Sequence, residues 1–166
     1  VAHVPLSLDT TNPDAIEAGL KAHNNEYGKP LINSTSAEEE RINAFMPLAA
    51  KYGAMIIGLT LSGSSLPQDA NERCAIAVDI LTKAAECGVP PEDIYLDPIT
   101  LPVSVDQKQP MELVKAVKMM QDLNDPPMKT VVGLSNVSNG SPAHLRSLIN
   151  RTFLIMLMTE GLTAAI

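Results

Sequence analysis

Four polar side chains, two aspartates and two asparagines, each follow directly on a short apolar run. Asp9 ends the run LSLD, Asn33 ends PLIN, Asp97 ends IYLD and Asn136 ends GLSN. A carboxylate or amide in such a place is partly buried, so without a hydrogen-bonding partner it destabilises the fold by about 1–3 kcal/mol. If the four side chains converge, they form a ring of acceptors with amide donors. Such a ring fits a flat heterocycle with amino and ring N–H groups, and it requires no metal ion.

A plainer interpretation is open for each of these residues. The stretches Asp9-Thr10-Thr11 and Asn33-Ser34-Thr35 can cap the helices that follow them. Asp97-Pro98 can simply begin a turn. A cap does not have to lie at the end of the strand itself, so the recurrence at four strand ends favours a binding site.

The elements that position these residues are short apolar runs that alternate with helical patterns. Candidate strands end at Asp9, Asn33, Thr60, Asp97 and Asn136, and the final LTAAI resembles the approach to a further strand. Helices are predicted at about residues 13–23, 36–52, 69–87, 111–123 and 142–160. This alternation predicts an α/β fold with a parallel sheet, in which ligands bind at the carboxyl ends of the strands.

Two sheet architectures remain open for about five βα units: a doubly wound sheet, or part of an eightfold barrel. A complete barrel typically needs about 250 residues. This chain has 166 residues and begins with Val1. If it is a barrel, the sequence therefore predicts an incomplete one.

The second helix carries three local signals. Residues Ser36 to Glu39 match a capping box that opens the helix. Gly53 is expected to end it. Pro47 lies inside the pattern and is expected to bend or break the helix.

The net charge of the chain is −7, which disfavours a nucleic-acid or anionic membrane surface, because both partners attract clustered Lys and Arg. The most apolar segment, residues 148–166, contains Arg151 and Glu160. These charges disfavour a membrane span.

The cysteines and histidines give no metal-ligand spacing. Cys74 and Cys87 lie in one helical stretch and are interpreted as reduced thiols of a cytoplasmic protein. His3, His23 and His144 are interpreted as surface residues.

Several blocks, in order, resemble one known family over essentially the whole chain. SLDTTNPDAIEAGL, PLINSTSAEEER, IYLDP and GLSNVS followed by LINRTFL are similar to methyltetrahydrofolate:corrinoid/iron-sulfur protein methyltransferase. That family belongs to a pterin-binding group that includes the folate domain of cobalamin-dependent methionine synthase and dihydropteroate synthase. The resemblance implies one pterin-binding domain over residues 1–166, with strands three to seven of a TIM (β/α)8 barrel. A fragment lacking both ends would expose strand edges, so alone it is expected to aggregate.

The resemblance also implies a reaction of the reductive acetyl-CoA (Wood–Ljungdahl) pathway. The N5 methyl group of 5-methyltetrahydrofolate moves to Co(I) of a corrinoid that a partner, the corrinoid/iron-sulfur protein, carries. The enzyme is expected to bind no metal of its own, to be a homodimer and to be cytoplasmic.

The resemblance assigns roles to individual residues. Asn136 matches the catalytic asparagine near N5, whose amide can donate or accept as N5 changes charge. Arg146 resembles a family arginine near the site, although the loop over residues 139–145 is longer than the usual pattern. The further pterin-binding positions are Asp9, Asn33, Asp97, Gly133 and Ser135.

Other functions fit the same residues. The folate domain of a cobalamin-dependent methionine synthase has similar pterin residues. Dihydropteroate synthase is disfavoured, because its Ser-x-Arg-His motif is missing from these 166 residues. A pterin-binding module without chemistry and an unrelated barrel with capped strands are two further alternatives.

Overall fold

The fold is a parallel sheet whose strands alternate with helices in a computed structural model that describes residues 3–63 and 65–166. The strands are β1 Ser7–Asp9, β2 Leu31–Ser36, β3 Met55–Leu59, β4 Ile94–Asp97, β5 Lys129–Val132 and β6 Ala164–Ala165. The helices are α1 Pro13–Ala22, α2 Glu39–Tyr52, α3 Ala70–Cys87, α4 Gln109–Gln121 and α5 Ala143–Thr159. Short 3-10 helices lie at Asn25–Tyr27, Pro91–Asp93 and Leu134–Ser138.

The strands are hydrogen-bonded in sequential order from β1 to β6, and every pair is parallel. A doubly wound sheet reverses its strand order part-way along, whereas a βα barrel adds each strand beside the previous one. The order therefore decides between the two predicted architectures in favour of a partial barrel. Because all strands run in one direction, their carboxyl ends share one edge of the sheet.

Two apolar clusters hold the helices against the sheet. The larger cluster joins α1, α2 and α3 to the first four strands and includes Ile16, Phe45 and Ile80, which are at most 2% exposed. The smaller cluster joins α4 and α5 to β5 through residues such as Val117 and Phe153.

The predicted helix ends are confirmed where glycine supplies a left-handed backbone. Gly53 (φ 60°) ends α2 and Gly88 (φ 80°) ends α3, and both donate their N–H groups back to helix carbonyls. Asp69 caps α3, because its side chain accepts from the N–H of Glu72. Both cysteines are free thiols, as predicted.

The capping-box prediction for the second helix is wrong, and the helix does not break at Pro47. Ser36 is the last residue of β2, and α2 begins after Glu38, whose side chain makes no capping hydrogen bond. The strand reaches this far because its pairing with β3 shifts register between Ile32 and Thr35. Pro47 does not break α2, which runs on to Tyr52. Pro47 is exposed, so water can bond the carbonyl that its missing N–H leaves free.

The interpretation of GLSN as the end of a strand is also wrong. β5 ends at Val132, and the chain then turns into the 3-10 helix Leu134–Ser138. The N–H of Asn136 donates to the carbonyl of Gly133, and the N–H of Asn139 donates to the carbonyl of Asn136. Asn136 therefore lies on a tight turn beyond the sheet.

Within residues 3–63 and 65–166, no helix combines the length and the apolarity needed to cross a membrane.

Candidate active site

Three of the predicted site residues lie on the sheet face that is turned away from the helices. Each directly follows a residue that packs into the cluster between sheet and helices. Because side chains alternate across a strand, the second residue of each pair must point to the opposite face. The pairs are Leu8–Asp9, Ile32–Asn33 and Leu96–Asp97.

The strand register places Asp9 and Asp97 at the carboxyl ends of their strands and Asn33 beside Asp9. Asp9 is the last residue of β1 and pairs with Asn33, which is the third residue of β2. Asp97 is the last residue of β4 and pairs with Leu59 of β3. Asp9 is exposed, whereas Asn33 and Asp97 are half-buried.

The cap interpretation is wrong for the first two residues. Asn12, and not Asp9, caps α1, because its Oδ1 accepts from the N–H groups of Asp14 at 2.9 Å and Ala15 at 3.2 Å. The prediction that a strand ends at Asn33 is also wrong, because β2 runs on to Ser36, and Asn33 lies inside it, well before α2 begins. Neither side chain is therefore explained by local capping.

The turn interpretation is correct for Asp97, although it accounts for only one carboxylate oxygen. Oδ1 accepts from the N–H of Ile99 at 2.8 Å, while the described residues give Oδ2 no hydrogen bond. The main-chain carbonyl of Asp97 accepts from the N–H and the hydroxyl of Thr60, at 2.9 and 3.1 Å. Burial raises the pKa of the Asp97 carboxyl to about 6, and the Ile99 N–H partly opposes this shift. The second oxygen can therefore receive a ligand donor.

Asn136 belongs to a chain of three side chains, which we call the amide relay. Arg146 Nη2 lies 3.1 Å from Asn139 Oδ1, and Asn139 Nδ2 lies 3.3 Å from Asn136 Oδ1. Arginine can only donate, so the Asn139 atom that faces it must be the oxygen. Asn139 then donates through its nitrogen, and Asn136 must accept through Oδ1. Among the described residues, none accepts a hydrogen bond from Asn136 Nδ2, which is exposed and can therefore donate to a ligand.

Arg146 also contacts the main chain of the turn that carries Asn136. Its Nε donates to the carbonyl of Ser138 at 3.2 Å, which ties α5 to the 3-10 turn. Ser138 in turn donates from its hydroxyl to the carbonyl of Ser135 at 3.2 Å. Asn139 was not predicted from the sequence as a site residue. The only sequence signal for it is its spacing of three residues from Asn136.

Gly133 lies directly against the amide of Asn136. A Cβ atom at this position would come within 2.9 Å of Asn136 Nδ2. The φ of Gly133 is −75°, which any residue can adopt, so a lack of space and not backbone strain explains the glycine.

Replacing Gly133 with alanine is therefore expected to push the Asn136 amide aside without harming the fold. Asn136 is the flexible end of an exposed side chain, so the melting temperature should stay close to the wild-type value. The activity of the site should fall several-fold. Thermal melting and a turnover measurement check both parts, and a normal turnover in a folded variant would contradict the close contact.

The loops that carry Asp97 and Asn136 are bonded to each other. The N–H of Val103 donates to the carbonyl of Val137 at 2.9 Å, and the hydroxyl of Ser104 donates to the carbonyl of Asn139 at 2.6 Å. The structure therefore fixes these two loops together.

Two buried hydroxyls near this edge have no hydrogen-bond partner among the described residues. They belong to Ser36, at the end of β2, and Thr100, three residues after Asp97. Ser36 pairs with Leu59, which also pairs with Asp97, so the serine lies on the same row of the sheet. Sequence reasoning missed Ser36, because its position suited a helix cap.

Within the described residues, no group of three or more His, Cys, Asp and Glu side chains is placed to hold a metal ion.

Two methionine synthases resemble the chain in amino-acid sequence. The methionine synthase of Mycobacterium tuberculosis is 28% identical over 173 residues, which cover 98% of this chain and 14% of that protein. The methionine synthase of Mycobacterium leprae is 27% identical over 176 residues, with 100% and 14% covered. The chain thus spans about one-seventh of the length of these relatives.

Solved structures share the fold. A dihydropteroate synthase from Xanthomonas albilineans with 4-aminobenzoic acid superposes with a TM-score of 0.73 at 17% identity, over 97% of this chain and 60% of that one. A DHPS from Yersinia pestis with a pterine-sulfa conjugate gives a TM-score of 0.71 at 18% identity, over 98% of this chain and 62% of that one. At this identity the likeness establishes the partial barrel alone.

The family described as pterin binding enzyme matches residues 1–166. The match spans the whole chain and includes every residue of the carboxyl edge described above. The chain belongs to the pterin-binding enzyme family.

Proposed function

We propose that this chain binds 5-methyltetrahydrofolate at the carboxyl edge of its sheet and promotes transfer of the N5 methyl group to Co(I) of a corrinoid. The observation that carries the proposal is the amide relay, which leaves the Nδ2 donor of Asn136 free. The blocks that resemble the corrinoid/iron-sulfur protein methyltransferases add support, as do the methionine synthase relatives.

The chemical difficulty of this transfer is the leaving group. The N5–CH3 bond breaks with its electron pair left on N5, and the methyl group is taken up by the cobalt of the corrinoid substrate. The nitrogen becomes more basic as the bond breaks, so a hydrogen bond to it strengthens in the transition state. The free N–H of Asn136 can supply that hydrogen bond, and a proton from solvent then completes the tetrahydrofolate product.

The aspartates and the second asparagine fix the pterin ring. The ring carries amino and N–H donors, which suit the free Oδ2 of Asp97, the Asp9 carboxylate and the Asn33 amide oxygen. Gly133 and Ser135 would border the ring beside Asn136. Holding the ring in one orientation keeps N5 at a constant distance from the Asn136 amide, which is how positioning lowers the barrier.

The corrinoid belongs to a protein partner or to another segment of the same polypeptide. The resemblance favours a separate corrinoid/iron-sulfur protein and a homodimeric, cytoplasmic enzyme of the reductive acetyl-CoA pathway. The methionine synthase relatives favour the second candidate, the folate domain of a methionine synthase-like protein. The site chemistry is the same in both.

A product assay with the intact polypeptide tests the proposal. One mixture contains 5-methyltetrahydrofolate with a labelled methyl group and a Co(I) corrinoid protein. A second contains a pterin pyrophosphate with 4-aminobenzoic acid. We expect label to appear on the corrinoid in the first mixture and no pteroate in the second. Pteroate without methyl transfer would contradict the proposal, and pterin binding without either product would indicate a binding module.

A further inference from the structure

Arg73 of α3 is a buried cation in which all three guanidinium nitrogens are hydrogen-bonded. Its side chain is 0% exposed. Nε donates to the carbonyl of Pro98 at 2.7 Å, Nη2 to Oε1 of Gln109 at 2.7 Å, and Nη1 to the carbonyl of Asp69 at 3.1 Å. A buried charge persists only when its donors are satisfied, so this position is specific for arginine.

The contact to Pro98 leads directly to Asp97. The carbonyl of Pro98 and the N–H of Ile99 belong to one peptide group, which is planar. Arg73 Nε bonds the carbonyl side of that group, and the N–H side donates to Oδ1 of Asp97 at 2.8 Å. The orientation of a single peptide plane therefore decides where the carboxylate of Asp97 points.

The backbone beyond that peptide is strained. Ile99 has a φ of 61°, the only positive value at a described residue other than glycine. A β-branched residue in the left-handed region is a genuine outlier that persists only when surrounding contacts hold it. Within this turn the N–H of Ile99 donates to Asp97 Oδ1, and Arg73 adds a second contact, from α3, to the carbonyl of Pro98.

We propose that Arg73 is a positioning residue, whose guanidinium fixes the Pro98–Ile99 peptide and through it orients the Asp97 carboxylate for its ligand. The inference rests on the proposed function in that Asp97 is taken to anchor the pterin. The guanidinium also polarises the peptide group, which makes the Ile99 N–H a stronger donor.

The charged groups near Arg73 come from the starts of α3 and α4. Burial lowers the pKa of the guanidinium, and the carboxylates of Glu112, Asp69 and Glu72 oppose that shift. Arg73 stays protonated across the accessible pH range, so the titration of Asp97 can be read without interference from it.

The test follows the titration of the Asp97 carboxyl by 13C NMR in the intact protein, with and without Arg73→Lys. A lysine offers one nitrogen for three acceptors, so the Ile99 N–H should be released from its place. We expect the apparent pKa of Asp97 to rise above the wild-type value and 5-methyltetrahydrofolate to bind about tenfold more weakly at neutral pH. A merely structural role would lower the melting temperature and leave the Asp97 titration unchanged, which would overturn the inference.

Two further variants keep the test decisive. Ile99→Gly removes the backbone strain at residue 99. If Arg73→Lys alone does not fold, Arg73→Lys is measured in the Ile99→Gly background, where the turn can form without strain. Arg41→Lys is the matched control for the titration alone. Arg41 Nη2 also donates to a backbone carbonyl, that of Ser34, at 2.9 Å, and this variant should leave the pKa of Asp97 unchanged. A shift of Asp97 in a protein whose wild type binds no 5-methyltetrahydrofolate would support the positioning role and contradict the proposed function.

Discussion

Replacing Asn136 with alanine is expected to slow methyl transfer by about 10²-fold or more, because in the proposed mechanism its amide donates a hydrogen bond that strengthens in the transition state. The affinity for 5-methyltetrahydrofolate should change little, since the proposed binding mode holds the pterin ring through other residues. A single-turnover measurement at saturating 5-methyltetrahydrofolate separates the two effects: the rate constant falls, while the dissociation constant is kept.

The matched control for this variant is Asn71→Ala. Asn71 is an exposed asparagine in the first turn of α3, and none of the side-chain hydrogen bonds described for the site involves it. It should transfer the methyl group at the wild-type rate. Equal rates for the Asn136 and Asn71 variants would show that the free amide of Asn136 has no part in the reaction.

Replacing Asp97 with alanine is expected to weaken pterin binding by roughly 10²-fold, because hydrogen bonds to a carboxylate contribute about 1.5–3 kcal/mol each. In the wild-type protein the affinity should also depend on pH. Burial raises the pKa of Asp97 from 3.8 to about 6, so the carboxyl takes up a proton as the pH falls through this value. Ring N–H donors need the ionised form, and the affinity should therefore fall up to tenfold per pH unit below about 6.

The same group has the opposite effect on the stability of the free protein. Between pH 3.8 and about 6 the folded state holds the proton more tightly than the unfolded state. The stabilisation from Asp97 is therefore fully present below this window and is lost as the pH rises through it. Ligand affinity and free-protein stability should thus respond to pH in opposite directions.

Calorimetric titration of 5-methyltetrahydrofolate between pH 5 and 8 checks this prediction. Asp97→Asn should bind weakly and lose the pH dependence near 6, whereas Asp79→Asn, a change at an exposed position of α3, should retain the wild-type profile. A steep pH dependence that survives in Asp97→Asn would assign the titration to another group.

Local patterns in the sequence were sufficient to predict the sheet. Apolar runs that alternate with helical patterns give a parallel sheet, and Gly53 and Gly88 end their helices because only glycine takes a left-handed backbone easily. The same logic placed Asp9 and Asp97 at strand ends. These features depend on neighbours in the sequence, which explains the success.

The wrong predictions depend on main-chain hydrogen bonds that the residue types do not reveal. Ser36 matched a helix cap, yet pairing with β3 extends the strand through it. Asn136 matched a strand end, yet hydrogen bonds turn the chain after Val132. Periodicity cannot show either effect, because each is decided by partners far along the chain or by backbone geometry.

The contacts of Arg73 and Asn139 could not be predicted for the same reason. Arg73 lies 25 residues before the Pro98 carbonyl that it bonds. Asn139 acquires its donor orientation only from Arg146, seven residues further on. A polar residue in a helix or a loop is normally solvated, so nothing in the sequence distinguishes these two from their neighbours.

The most direct test of this account is a crystal structure of the intact protein with 5-methyltetrahydrofolate. We expect the pterin ring at the carboxyl edge, with its N–H donors on Asp97 and with Asn136 Nδ2 within hydrogen-bonding reach of N5, at about 3 Å. A ring bound elsewhere, or an Asn136 amide that turns its oxygen or no atom at all towards N5, would contradict the account.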